Sequence, residues 1–192
     1  MRNGANRMST PSALLLPSLH GDDVPAESRP LLDKIKKGFG YVPNLFAAFA
    51  NSPVLLGGYM SLDAAFENGT LTATERQLVL LAASAANECE YCVAAHSTVA
   101  KRMLNVSPAI VSAIRLGVAL PDAKLNALVN LTKGLAAGRG RVVPATIRAF
   151  LDSGYRPDQI GEVLVGIALK TLSNYTHHLS PVEVDPAFAA ER

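Results

Sequence analysis

Leu71–Ser97 reads LTATERQLVLLAASAANECEYCVAAHS, and its two halves decide the fold. The first half is a helix pattern. Thr72 or Thr74 supplies an N-cap, Glu75 an acid in the first turn where the helix dipole favours it, and an apolar run follows without strand alternation. The second half opens another helix. On it Cys89, Cys92 and His96 stand at i, i+3 and i+7, so two thiols and an imidazole share one face, which Val99 and Met103 continue. A Cys-x-x-Cys pair entered from a helix is incompatible with a thioredoxin arrangement, where the pair follows a strand. The segment predicts helix packed on helix.

The rest of the chain extends that pattern. Residues 1–25, rich in Pro, Ser, Gly and Asn, predict an extended arm. Helical segments then run from Ala26 to the C-terminus, punctuated by Ser52-Pro53, Asn68-Gly69, Ser107-Pro108, Gly117, Gly138 and Gly154. One of these segments places Leu125, Leu128, Val129, Thr132, Leu135 and Ala136 on one face. In the last long one, Arg156–His178, the residues Ile160, Val163, Leu164, Ile167, Ala168, Leu172 and Tyr175 make a wide apolar stripe. Lys170, Asn174 and His178 make a polar stripe opposite, read as a hydrated helix end ahead of a pocket lining or a contact with a partner subunit. The expectation is a single all-α domain over 26–192, of about eight helices, with its core motif at 71–104.

Composition agrees. Of 192 residues, 49% are hydrophobic and 18% charged, the latter below the roughly 25% of a typical soluble domain, which predicts surface hidden in a homo-oligomer. Net charge is +2 with scattered basic residues, so neither a nucleic-acid stripe nor a basic membrane face is expected. Arg139 and Arg141, with Lys133 nearby, read as a solvated turn rather than an anion site. No apolar run approaches the roughly 18 residues of a membrane span, and the ALLL of residues 13–16 is too short for a signal core, so a cytoplasmic location is expected.

Three chemistries suit the cysteine stripe. Buried cysteines can serve as small apolar residues. Two thiolates and His96 could bind zinc with water as the fourth ligand, as a zinc-dependent hydrolase or lyase would. A structural site, however, needs a fourth protein ligand, and no second Cys/His pair lies at that spacing. The redox reading fits best, with no cofactor or metal. A helix start stabilises thiolate, cysteines at i and i+3 can close a disulfide, and His96 can move a proton.

The same residues resemble the core motif of the alkylhydroperoxidase-D-like branch of the carboxymuconolactone decarboxylase superfamily: a helix with a polar residue, then Cys-x-x-Cys-x-x-x-His opening the next. The late LKTLSNYTHH, Leu169–His178, is similar to peroxidase-related members of that group. The resemblance implies a thiol-dependent peroxidase acting on a small hydroperoxide, with a dithiol reductant such as a lipoyl or thioredoxin-like protein. It implies Cys92 as the attacking cysteine, Cys89 as the resolving one and His96 in the proton relay. The relay glutamate of the family, twelve residues before the first cysteine, is Gln77 here, and the histidine that some relatives carry before the second cysteine is Tyr91. An amide can orient but cannot shuttle a proton as a carboxylate does. That departure supports an alternative: a redox-sensing or interaction protein that forms the disulfide without turnover. Glu75 reads as a helix-start acid, and Glu88 and Glu90 as solvated surface.

Overall fold

The computed structural model describes residues 15–192, and among these it contains nine α-helices and two 3-10 turns, without strands. The helices are α1 (Arg29–Phe39), α2 (Asn44–Phe49), α3 (Pro53–Glu67), α4 (Ala73–Ala86), α5 (Glu90–Arg102), α6 (Pro108–Leu116), α7 (Ala123–Ala137), α8 (Pro144–Asp152) and α9 (Pro157–Leu179). The all-α expectation holds. The first fourteen residues of the expected arm lie outside the described residues. The part that follows is tied down, with Leu16 N–H donating to Ser180 Oγ at 2.9 Å and Leu19 N–H to the Ala47 carbonyl at 3.1 Å.

Local chemistry sets the helix ends. Ser52, Ser107 and Asp122 accept from the third residue of α3, α6 and α7, and Pro occupies the first turn of α3 and α6, where its missing N–H costs nothing. Thr72 and Glu75 close a reciprocal capping box on α4, and Glu75 also accepts from Tyr155 at 2.9 Å. Glu75 is the expected helix-start acid, and it also completes the capping box with Thr72.

Helix α4 is the axis of the molecule. Leu78, Val79, Leu81, Ala82, Ala83 and Ser84 are buried, so the helix is apolar nearly all round, as a central helix must be. Leu78, Leu81 and Ala82 pack with Val111, Ile114 and Val129 of α6 and α7. Val79 and Leu80 join Phe49, Phe66, Leu128 and Leu169 in the larger core.

Helix α9 turns differently from its pattern. Val163, Gly166, Leu169, Lys170, Ser173 and Asn174 are its buried face, while Leu164, Ala168, Tyr175 and Leu179 face out. The expected polar stripe is thus inside for Lys170 and Asn174, and only His178 stays exposed. Gly166 makes this rotation possible: a Cβ there would sit 2.7 Å from Val79 Cγ1 and 2.9 Å from Phe66 Cζ. The α4–α9 approach is therefore closer than any side chain at 166 allows.

Candidate active site

The link between α4 and α5 is three residues long. Cys89 N–H donates to the Ser84 carbonyl and Glu88 N–H to the Ala85 carbonyl, a Schellman closure with Glu88 at φ +56° where glycine is usual. This closure sets Cys89 as the N-cap of α5 and Cys92 in its first turn, where free N–H groups and the positive dipole end lie. Both cysteines are free and buried. Glu88 and Glu90 point to solvent as expected, so neither opposes a thiolate at close range.

Around Cys92 the structure assembles a polar network from three helices. Gln77 of α4 places Nε2 2.9 Å from both the backbone oxygen and Nδ1 of His96. Lys170 of α9, 2% exposed, places Nζ 2.7 Å from His96 Nε2 and 3.3 Å from the Tyr59 hydroxyl of α3. Ser173 and Asn174, one turn further along α9, lie on the Cys92 side of the helix and favour its thiolate. Ser173 Oγ donates to the Leu169 carbonyl at 3.1 Å and Asn174 Nδ2 to Ser84 Oγ at 3.5 Å. Asn174 is itself held by Asn87, whose amide donates to Asn174 Oδ1 at 2.9 Å. Cys92, His96 and Gln77 are thus brought together, with Cys89 against Cys92.

Environment splits the two thiols. Cys89 donates to Cys92, and that hydrogen bond together with burial pushes the Cys89 thiol well up. The same bond stabilises a Cys92 thiolate; burial opposes it, but Lys170, Ser173 and Asn174 add to the pull, and Cys92 is lowered to about 6. Burial, then the Lys170 charge, hold His96 well below the usual imidazole range, so the ring is neutral. Burial works against the Lys170 ammonium too, but the anionic forms of Tyr59 and Cys92 outweigh it and raise Lys170.

Cys92, His96, Val99 and Met103 line a cavity of about 500 Å³. The expected stripe on α5 is correct, but its far end opens outward, since Met103 is 72% exposed at the rim. Five of the six phenylalanines, Phe39, Phe46, Phe49, Phe66 and Phe188, line the cavity with Tyr59 and Tyr91; the sixth, Phe150, stacks on Tyr155. A chain poor in aromatics has spent them here, which suits an apolar or ring-bearing ligand. Tyr91 donates its hydroxyl to Asp185 at 2.5 Å and faces Phe188 edge-on, so it ties the C-terminal turn to the cavity wall.

The remaining candidates have structural employment. His177 meets the Val182 carbonyl at 3.3 Å, Arg139 and Arg141 are exposed on a turn, and Lys133 donates to the Ile114 carbonyl at 2.6 Å. Among the described residues no three His, Cys, Asp or Glu side chains gather as metal ligands, and both ring nitrogens of His96 are engaged. Sequence reading ranked pocket lining below a hydrated helix end for Lys170 and Asn174, and did not single out Ser173. The i, i+4 spacing of Lys170 and Asn174 was the available signal, and their distance in sequence from the cysteines hid it.

The fold that holds this hairpin has counterparts among solved structures. Residues 57–127 match the sequence model of the carboxymuconolactone decarboxylase family. That segment of the chain is similar to the family, and the described chain has an AhpD-like all-α fold. It is similar to an uncharacterized peroxidase-related protein from Ralstonia eutropha JMP134, described as an alkylhydroperoxidase AhpD core. The two are 22% identical with a TM-score of 0.77, over 92% of this chain and 96% of that one. A peroxidase-related protein from Silicibacter sp. TM1040 is 17% identical with a TM-score of 0.77, over 95% and 99%. A cysteine-to-alanine variant of the debrominase Bmp8, in complex with 2,3,4-tribromopyrrole, is 16% identical with a TM-score of 0.78, over 95% and 97%. At these identities the likeness is one of fold. No curated protein matches the sequence. No helix among the described residues is long and apolar enough to cross a membrane.

Proposed function

We propose that this AhpD-like protein is a thiol-dependent reductase of small apolar hydroperoxides. The observation that carries the reading is the unequal thiol pair, with only Cys92 opening into the aromatic cavity. The Cys92 thiolate attacks the terminal oxygen of R–O–OH. The O–O bond breaks, leaving a sulfenic acid on Cys92 and an alkoxide that takes up a proton. The Cys89 thiol then displaces water from the sulfenic acid and closes the disulfide. A small dithiol or dithiol-bearing protein reopens it by exchange, so the sum is ROOH + R′(SH)₂ → ROH + H₂O + R′S₂. Catalysis by a homo-oligomer at a cytoplasmic site completes the proposal.

The test is reductant-coupled consumption of cumene hydroperoxide and hydrogen peroxide with dihydrolipoamide. Wild type turns over, and Cys92→Ser falls to the uncatalysed rate. Cys89→Ser accumulates a sulfenic acid trapped on Cys92. Stoichiometric oxidation of both thiols without turnover would favour the redox sensor instead. Alkylation of Cys92 by iodoacetamide rises with pH as thiolate forms. It should reach half its plateau near pH 6, where Cys92 titrates, rather than near the roughly 8.5 of a free thiol.

The aromatic lining and the likeness to a debrominase support a second substrate class for the same thiols, a bromoaromatic: ArBr + 2 RSH → ArH + HBr + RSSR. Bromide release from a brominated pyrrole, lost in Cys92→Ser, is the readout.

A further inference from the structure

The neighbours of His96 constrain where its proton sits. A neutral imidazole has one N–H and one lone pair. The His96 carbonyl can only accept, so the Gln77 atom 2.9 Å from it is the NH₂ group, and the second hydrogen of that group faces Nδ1, also at 2.9 Å. Nδ1 is therefore the acceptor and Nε2 carries the ring hydrogen. Lys170 Nζ, 2.7 Å from Nε2, must then accept, which only an uncharged amine can do. Yet the same Nζ is fully buried on the wall of the cavity that Cys92 also lines, and the Cys92 thiolate attracts an ammonium there. The charged and titratable groups facing Lys170 are Tyr59 and Asp63 from α3 and Cys89, Cys92 and His96 from α5 and its cap. Two arrangements of equal charge share one proton here: thiol with amine, and thiolate with ammonium.

We propose that Lys170 is the proton store of this site, holding on Nζ the proton that Cys92 gives up and returning it through His96 Nε2 to the group that leaves when Cys92 reacts. The assignment rests on the thiol reading above and fills the place of the carboxylate that Gln77 cannot supply. In the thiolate form Nζ and Nε2 both carry hydrogens toward one another, a contact relieved when Nε2 hands its hydrogen on. As the thiolate sulfur bonds to the terminal oxygen of ROOH and the O–O bond breaks, the alkoxide takes the Nε2 hydrogen. Lys170 refills Nε2 and returns to amine. The products are sulfenic acid, alcohol, neutral His96 and neutral Lys170, and no net charge has entered a buried place. After the disulfide forms and is reduced, the regenerated Cys92 thiol recharges Lys170.

Arginine separates this role from a merely attractive charge, because a guanidinium keeps its proton. Full-length wild type, Lys170→Arg and Lys170→Met are compared in single turnovers. Iodoacetamide needs only a thiolate, since iodide leaves without a proton; cumene hydroperoxide needs a proton for its alkoxide. Lys170→Arg should alkylate within about threefold of wild type and lose about a hundredfold with the hydroperoxide, the scale of general acid catalysis. Lys170→Met should lose both. A Lys170→Arg protein that reduces the hydroperoxide at the wild-type rate overturns the proposal, as does a Lys170→Met protein with an unchanged pH profile of alkylation. 4,4′-Dithiodipyridine, whose leaving group needs no proton, and oxidised dithiothreitol, whose basic leaving thiolate does, repeat the contrast without peroxide. If wild type reduces no hydroperoxide but this disulfide contrast persists in Lys170→Arg, the peroxidase reading falls and the proton store stands. If Lys170→Arg treats both disulfides as wild type does, the proton store falls.

Discussion

The α4–α5 hairpin and α9 both supply the site, but they do so by opposite logic. In the hairpin each local signal agrees with the fold: a capping box starts α4, a Schellman closure ends it, and the cysteines fall at the start of α5. In α9 the local signal is overridden. Its apolar residues Leu164, Ala168, Tyr175 and Leu179 face outward while Lys170, Ser173 and Asn174 face in. The hairpin shows what a sequence states about its neighbours in the chain; α9 shows what only packing decides. A polar face is drawn inside because the thiol and imidazole there supply partners for it, and a buried polar group without a partner costs about 1–3 kcal/mol.

The strongest way to break the contrast is at Gly166, where α9 touches α4. Gly166→Val would put two methyls into the space held by Val79 and Phe66, and such overpacking costs about 1–3 kcal/mol. The expected outcome is a lower midpoint in urea together with a rise in the Cys92 titration, because Lys170, Ser173 and Asn174 move away with the helix. A hydrogen bond to a thiolate worth about 1 kcal/mol corresponds to just under one pH unit. Stability loss with an unmoved thiol titration would show that α9 reaches Cys92 by some other constraint.

That dependence explains how much could be read from the chain alone. Cys89, Cys92, His96 and Gln77 lie within twenty residues on two helices joined by a tight turn, so helical periodicity places them. Lys170 is 74 residues beyond His96, and nothing local distinguishes a lysine bound for solvent from one bound for an imidazole. Only the small residue at 166, read against a bulky Val79, hints that α9 approaches closely. The cavity was likewise invisible, since its phenylalanines are contributed by four separate stretches between Phe39 and Phe188.

The outer face of α9 offers a second, smaller test. Leu164, Tyr175 and Leu179 are 46%, 54% and 60% exposed along one side of the helix, an apolar stripe of the kind that marks an interface. We propose that a second copy of the chain covers it. Light scattering should then give a mass that is a multiple of 20.2 kDa, and Leu164→Glu with Tyr175→Glu should reduce it to one chain. A wild-type mass of one chain removes the oligomer, and a mass that the double variant leaves unchanged moves the interface elsewhere.

The smallest expected effect lies in the hairpin, where the local signals agree except at one residue. Glu88 holds φ at +56°, a region that costs a side chain roughly 1–2 kcal/mol and glycine almost nothing. Its carboxylate is exposed and makes no contact that the closure needs. Glu88→Gly should therefore stabilise the fold by about 0.5–1 kcal/mol after the added freedom of the unfolded chain is subtracted. For a domain of this size that is a rise in Tm of about 1–4 °C, measurable by circular dichroism. Because Cys89 is placed by backbone bonds to Ser84 and Ala85 rather than by the Glu88 side chain, alkylation of Cys92 should keep its wild-type pH profile. A shifted profile would mean that the strained residue also tunes the thiols, and the hairpin would then share the long-range dependence that distinguishes α9.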